Sequence, residues 1–152
     1  MARTIDQVVS NYIHDGKQID ENTGSMILTV GRIGTLVGRG SLDFGGSEFA
    51  PSPTAWQEPV KKSGDDKYGW WHLEPGSYLL EFNESLLLSK GEKAMLQIWE
   101  EAARTGVAHP TELILRSREP LATVMSVPTP GVDIKENARI SRVLLLEWDS
   151  AR

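Results

Sequence analysis

The stretch from Met26 to Phe44, MILTVGRIGTLVGRGSLDF, limits the possible folds of this chain more than any other. It mixes β-branched residues with glycines at 31, 34, 38 and 40, and its apolar positions form no helical stripe. A helix there would lose backbone entropy at each glycine and gain no buried face in return. Short strands and tight turns are predicted, and with them a mainly β domain.

Two later segments carry the same signal. In HLEPGSYLLEFNESLLL (72–88), Pro75 and Gly76 mark a turn, Tyr78, Leu80 and Phe82 alternate, and Asn83 with Glu84 interrupts the run. In GVDIKENARISRVLLLEW (131–148), Glu136 and Asn137 predict a turn and Ile140 to Trp148 a strand. Residues 50–71 lie in a stretch with three of the eight prolines and the charged tip KKSGDDK, so they predict a surface loop or irregular hairpin. At the start, residues 4–15 predict a helix. Ile5, Val8, Val9, Tyr12 and Ile13 share one face, Thr4 and Gln7 are spaced as a capping box, and Gly16 would end it.

Composition narrows the function classes. With 152 residues, 39% of them hydrophobic, the chain is expected to form a single domain, 1–152, around one core. A net charge of -5 opposes nucleic acid as a partner, because displacing its counterions needs clustered Lys and Arg. The lack of cysteine excludes disulfides, thiolate zinc sites and cysteine nucleophiles, and fits the cytoplasm. The opening MARTIDQVVSNYIHDG has no apolar signal-peptide core, and no run approaches the roughly 20 apolar residues of a membrane helix. A soluble, cytoplasmic protein without a membrane partner is expected.

The order of motifs supplies a family resemblance. SLDFGGSEF (Ser41 to Phe49) resembles the S-x-D-L-x-L-G-x-x-F element of dCTP deaminases, and LEPGSYLLEFNESLLL resembles the L-x-P-G-x-Y strand pair they share with dUTPases. NARISRVLLLE (Asn137 to Glu147) resembles their closing strand, G-A-R-I-A-Q-L-V-F, and the helix before DGKQI resembles the deaminase N-terminus. Membership of the dUTPase/dCTP deaminase superfamily implies a distorted β-barrel or β-clip with a short N-terminal helix, assembled as a homotrimer with nucleotide sites at subunit boundaries.

The resemblance also bears on EKAMLQIWEEAARTG (Glu92 to Gly106). Its strong helix formers follow a possible capping box at Ser89 and Glu92, and Gly106 stands at a plausible C′ position, so local propensity predicts a helix. The family order instead predicts an extended Ala94 to Trp99 followed by one helical turn, Glu100 to Arg104. Here the family carries R-S-S-L-x-R-x-G, in which an arginine, serine hydroxyls and backbone N–H groups hold phosphate. On that pattern Trp99 replaces the arginine and Glu100 and Glu101 the serines, while Arg104 and Gly106 match. At an effective dielectric of about 20, a carboxylate roughly 4 Å from a phosphate charge costs about 4 kcal/mol.

Downstream, VAHPTELILRSREPLATV lacks the dUTPase I-D-x-x-Y-x-G hairpin. Arg116 falls near the deaminase catalytic glutamate, with Glu112 an acidic neighbour offset in register. Arg104 and Asp43 are the family-equivalent catalytic candidates, and Trp99, Glu100, Glu101, Arg104 and Gly106 form the altered substrate-binding turn. His14, His72 and His109 have no metal-ligand spacing, Ser117 has no nucleophile elbow, and the glycines at 31–40 lack a P-loop lysine. Trp70 and Trp71 could stack on a base or sugar but fit core or interface packing better. No cofactor is required by the sequence; magnesium would accompany a nucleoside triphosphate.

Three functions are compatible with this pattern. The chain is read first as a superfamily member with a degenerate triphosphate site, serving in nucleotide-related binding or regulation. An active dUTP diphosphatase or dCTP deaminase with substituted residues is the second reading. A small β-domain that binds carbohydrate or protein through its tryptophans is the third.

Overall fold

The computed structural model describes residues 3–14 and 16–146. Helix α1 spans Ile5–Val8, and strands β1 to β3 span Val9–Ser10, Ile19–Asp20 and Ser25–Leu36. Strands β4 to β8 follow at Thr54–Gln57, Trp70–Leu73, Gly76–Phe82, Ser85–Leu86 and Lys93–Ile98. Helix α2 covers Glu100–Ala103, and β9 to β12 span Glu112–Ile114, Ala122–Val127, Val132–Lys135 and Arg139–Leu146. The fold is mainly β: a curled antiparallel sheet in the order β10-β6-β3-β12-β8-β9, with β2 and β4 also paired to β3. Two small sheets, β1 with β7 and β5 with β11, lie beside it.

Strand β3 organises the sheet. It runs unbroken for 12 residues where short strands and turns were expected. Its glycines permit close crossings rather than turns: a Cβ on Gly34 would sit 2.3 Å from Thr54 Cγ2 and 3.0 Å from the Trp56 ring. At Gly31 the pairing with β6 shifts register, a bulge that bends the strand. Ser25 to Thr29 pair with β12, whereas Val30 and the residues after the bulge pair with β6, those from Ile33 on also with β4.

The core follows the alternation read from the sequence. Tyr78, Leu80 and Phe82 of β6 point inward with Thr123, Met125 and Val127 of β10, against Met26, Leu28 and Ile33 of β3. Each fully buried large side chain contributes about 1.5–3 kcal/mol. Trp71 joins this core and donates its indole N–H to Gln57 O at 2.8 Å, whereas Trp70 lies half-buried beneath Lys62, 4.2 Å from its ring centre.

The predicted helix 4–15 is one turn long. Gln7 Oε1 does accept the Thr4 N–H at 2.9 Å, as a capping box requires, but Val9 is already extended and Asn11 adopts a positive φ of 64°. The β-branched Val9 gains more from pairing with Leu86 in β7 than from another helical turn. Asp15, at the end of that expected helix, and Glu147 and Trp148, at the end of the closing strand, lie outside the described residues. Residues 50–71 hold β4, paired to β3, the start of β5, and two isolated bridges, Ser41 with Ala50 and Val60 with Trp70. No described helix is long and apolar enough to cross a membrane.

Lys93–Ile98 is the strand β8, and the helical turn begins only at Glu100, as motif order predicted and propensity did not. Helix preference among ordinary residues amounts to at most about 0.7 kcal/mol each. Against it, β8 hydrogen-bonds on both sides, to β12 and β9, and buries Ala94 and Leu96 completely.

A buried polar strap ties β3 to the β6–β7 connection. Glu84 is fully buried; its Oε1 accepts Thr29 N–H at 2.9 Å, and its Oε2 accepts Thr29 Oγ1–H at 2.6 Å and Gln18 Nε2–H at 2.9 Å. Gln18 Oε1 accepts the N–H groups of Ile13 and His14, both at 2.8 Å. Burial pushes the Glu84 carboxyl above its ordinary pKa, and the three hydrogen bonds only partly oppose it.

Candidate functional site

The altered turn follows directly from β8. Trp99 N–H donates to Ile140 O at 2.8 Å, which carries the ladder one residue past the strand before α2 begins. The turn closes with Thr105 Oγ1–H on Ala102 O at 2.6 Å, and Gly106 N–H on Ala103 O at 3.0 Å. Gly106 has φ of 89°, and a Cβ there would lie 2.5 Å from Pro128 Cγ, so glycine is required on both counts.

Glu100 does not project as a free charge. Its Oε1 takes a hydrogen bond from Arg142 Nη2, and that bond holds the Glu100 carboxyl below the ordinary range. Arg142 belongs to β12, where it pairs with Gln97 of β8, and its side chain is 10% exposed against 67% for Glu100. Its Nη1 lies 3.4 Å from the hydroxyls of both Thr23 and Ser25, and 3.7 Å from Asp20 Oδ2. The Arg142 guanidinium stacks 4.9 Å from the Trp99 ring centre, and that of Arg139 lies 5.6 Å away. The Trp99 indole N–H is buried without a hydrogen-bond partner among the described residues.

The other sequence candidates separate. Glu101 and Arg104 are exposed and make no side-chain hydrogen bond or ion pair among the described residues. Asp43 sits in an exposed hairpin between the bridged Ser41 and Ala50, and accepts the N–H groups of Gly46 at 2.9 Å and Glu48 at 3.0 Å. Its carboxylate holds its own loop, and no hydrogen bond or ion pair joins it to Arg104. The spacing S-x-x-L-x-x-G is met at Ser25 to Gly31, on β3 itself, where Ile27 stands in the aspartate position, and not at Ser41, where its fourth and seventh positions are Phe44 and Ser47. Glu112 is paired with Arg118 and accepts Thr123 Oγ1–H at 2.7 Å, while Arg116 is exposed. His72 pairs with Asp133 at 2.7 Å and His109 with Ser141 Oγ at 2.7 Å, so these two histidines serve separate contacts.

A groove of about 490 Å³ runs beside the turn, lined by Thr105, Pro130, Gly131 and the His72–Asp133 pair, with Glu74 on its wall. Its acidic side chains give this surface little attraction for a polyanion. Arg142, which motif matching passed over, is the residue that engages Glu100 of the turn. The signal was present in sequence as an arginine at the glutamine position of the closing-strand pattern.

No family model matches the chain. It is 30% identical over 140 residues, 90% of its length and 77% of the relative's, to the "Probable deoxyuridine 5'-triphosphate nucleotidohydrolase" of Methanosarcina mazei. Among solved structures it resembles the 2'-deoxycytidine 5'-triphosphate deaminase of Agrobacterium tumefaciens at TM-score 0.59 and 18% identity. That match covers 92% of this chain but 44% of the deaminase. A dUTPase of Staphylococcus bacteriophage 80alpha matches 61% of this chain and 78% of its own at TM-score 0.42 and 10% identity. The curled antiparallel sheet, with the closing strand between β3 and β8, defines a dUTPase-like β domain. The chain belongs to the dUTPase/dCTP deaminase superfamily.

Proposed function

We propose that this protein is a superfamily member whose triphosphate site is degenerate, acting in nucleotide-related binding or regulation rather than in dUTP hydrolysis or dCTP deamination. The observation that carries this reading is the ion pair at the start of the turn. Where the family presents neutral serine hydroxyls, this chain places a carboxylate already engaged by its own Arg142. Trp99 stands in for the family arginine and Glu101 adds an unpaired negative charge, so a triphosphate meets repulsion and few donors. Magnesium would enter with a nucleotide's phosphates.

We propose further that the chain assembles as a homotrimer in the cytoplasm. The hairpin around Asp43 supports assembly: Leu42 is 88% exposed, Phe44 fully exposed, and Phe49 and Val37 more than half exposed. Such a cluster marks an interaction surface.

The test is to incubate the purified protein with dUTP or dCTP and magnesium, following pyrophosphate and ammonia release alongside calorimetric binding. Negligible turnover is expected for both. A rate on the order of 1 per second or more would overturn the reading. Sedimentation equilibrium tests assembly, and a concentration-independent monomer mass would refute it.

A further inference from the structure

We propose, taking residues 99–106 as the phosphate-facing turn, that Arg142 is the cation of an anion site that the chain keeps filled with its own Glu100 carboxylate. The geometry has the layout of a receptor and its ligand. Arg142 is nearly buried and is fixed by stacking on Trp99 and by the Thr23 and Ser25 hydroxyls; Glu100 lies on its solvent side and is largely exposed. An anion arriving from solvent would meet the guanidinium along the path that the carboxylate now occupies. The neighbouring Trp99 indole N–H is also without an acceptor among the described residues, so this cluster holds a donor that none of them uses.

The two residues are also the two departures from the family pattern that face each other. Position 100 is serine and position 142 glutamine in the patterns that this chain resembles, both neutral; here they are Glu and Arg, and they pair. The local charge explains why one change accompanies the other. Arg139 and Arg142 stand against Glu100 and Asp20, and the four sum to zero. Without Glu100 the cluster carries a net positive charge of one, centred on a desolvated guanidinium whose planar fork suits two phosphate oxygens. The ligand class is a phosphate group, free or esterified.

The experiment compares the parent protein with Glu100→Gln, Glu101→Gln and the double variant Glu100→Gln/Arg142→Gln. Inorganic phosphate is titrated at low ionic strength, with affinity from calorimetry and site location from the Trp99 indole resonance in NMR. Glu100→Gln should bind phosphate at least tenfold more tightly than the parent and shift the Trp99 signal, Glu101→Gln, which relieves repulsion but frees no cation, should gain clearly less, and the double variant should lose the gain. Glu100 is exposed, so its replacement leaves the core intact, and circular dichroism of each variant confirms folding. No gain in Glu100→Gln, an equal gain in Glu101→Gln, or a gain that survives loss of Arg142 would each overturn the proposal.

A parallel titration with dUTP separates this from the nucleotide reading. If phosphate is gained through Arg142 but dUTP binds no more tightly than phosphate, the anion site stands and the nucleotide reading falls. If Trp99→Arg/Glu100→Ser/Glu101→Ser strengthens dUTP binding while Glu100→Gln gains no phosphate affinity, the nucleotide reading stands and the Arg142 site falls.

Discussion

Replacing Glu84 with alanine removes the acceptor at the centre of the polar strap. Two buried donors, the Thr29 N–H and the Gln18 amide, would then have no partner on that side; the Thr29 hydroxyl can rotate and is left out of the sum. Each orphaned buried donor costs about 1–3 kcal/mol, so the expected loss is about 2–6 kcal/mol. A single domain is stable by only about 5–15 kcal/mol in total. With a urea dependence of about 2 kcal/mol/M, the unfolding midpoint should fall by about 1–3 M. The pH dependence carries a sign of its own. Burial raises the Glu84 pKa, so the folded state holds this proton more tightly than the unfolded chain. The Glu84 contribution is therefore fully present below the ordinary carboxylate value and declines as pH rises through the folded value. The difference between parent and variant should shrink as pH rises above the ordinary carboxylate range. A midpoint within about 0.3 M of the parent, or a difference that grows with pH, would refute the account of the strap.

Other parts of the structure give sharper single tests. Arg3, which donates to Glu92 from Nε at 3.0 Å, holds that carboxyl down to about 2 from an ordinary 4.5. Its stabilisation is present above the ordinary value and lost as pH falls toward the folded one, so Arg3→Ala should flatten the acid limb of the stability curve over that window. Gly106→Ala combines a positive φ with a Cβ pressed on Pro128, and should cost about 1–3 kcal/mol; an unchanged Tm would contradict the turn geometry. Leu42→Ser/Phe44→Ser removes apolar area that touches little within the monomer. It should dissociate the assembly in sedimentation while leaving the far-UV spectrum unchanged, and an undisturbed oligomer would move the interface elsewhere.

Much of the sheet was legible because buried alternation and turn residues point the same way around Tyr78, Leu80 and Phe82, and at Glu136 and Asn137. At Lys93–Ile98 they conflict, and only the order of flanking motifs revealed the strand, since its stability comes from two partners distant in sequence. The N-terminal helix was overextended because the face through Val9 and Tyr12 fits a helix equally well, and only pairing with Leu86 decides the matter. The long β3 was hidden by its glycines, which read locally as turns, whereas Gly31 sits at the bulge against the end of β6 and Gly34 lies against β4. The extended segment and the helical turn at Glu100 were read correctly from motif order, but the charge of Glu100 was read without its partner. Arg142 lies 42 residues away in sequence, and strand register alone brings the two together.

That same register has a consequence for how the chain is made. The closing strand β12 lies not at the rim of the sheet but between β3 and β8, formed more than a hundred and about forty residues earlier respectively. During synthesis at about 5–20 residues per second, the ladder positions of Met26–Thr29 and of β8 must wait, unpaired and apolar, until residues 139–146 leave the ribosome. Two facing open edges of this kind invite pairing with a neighbouring nascent chain. A chain cut off before β12 would not be a slightly shorter domain but two strand groups with an empty slot between them, and its fate would be decided by chaperone capture rather than by slow folding.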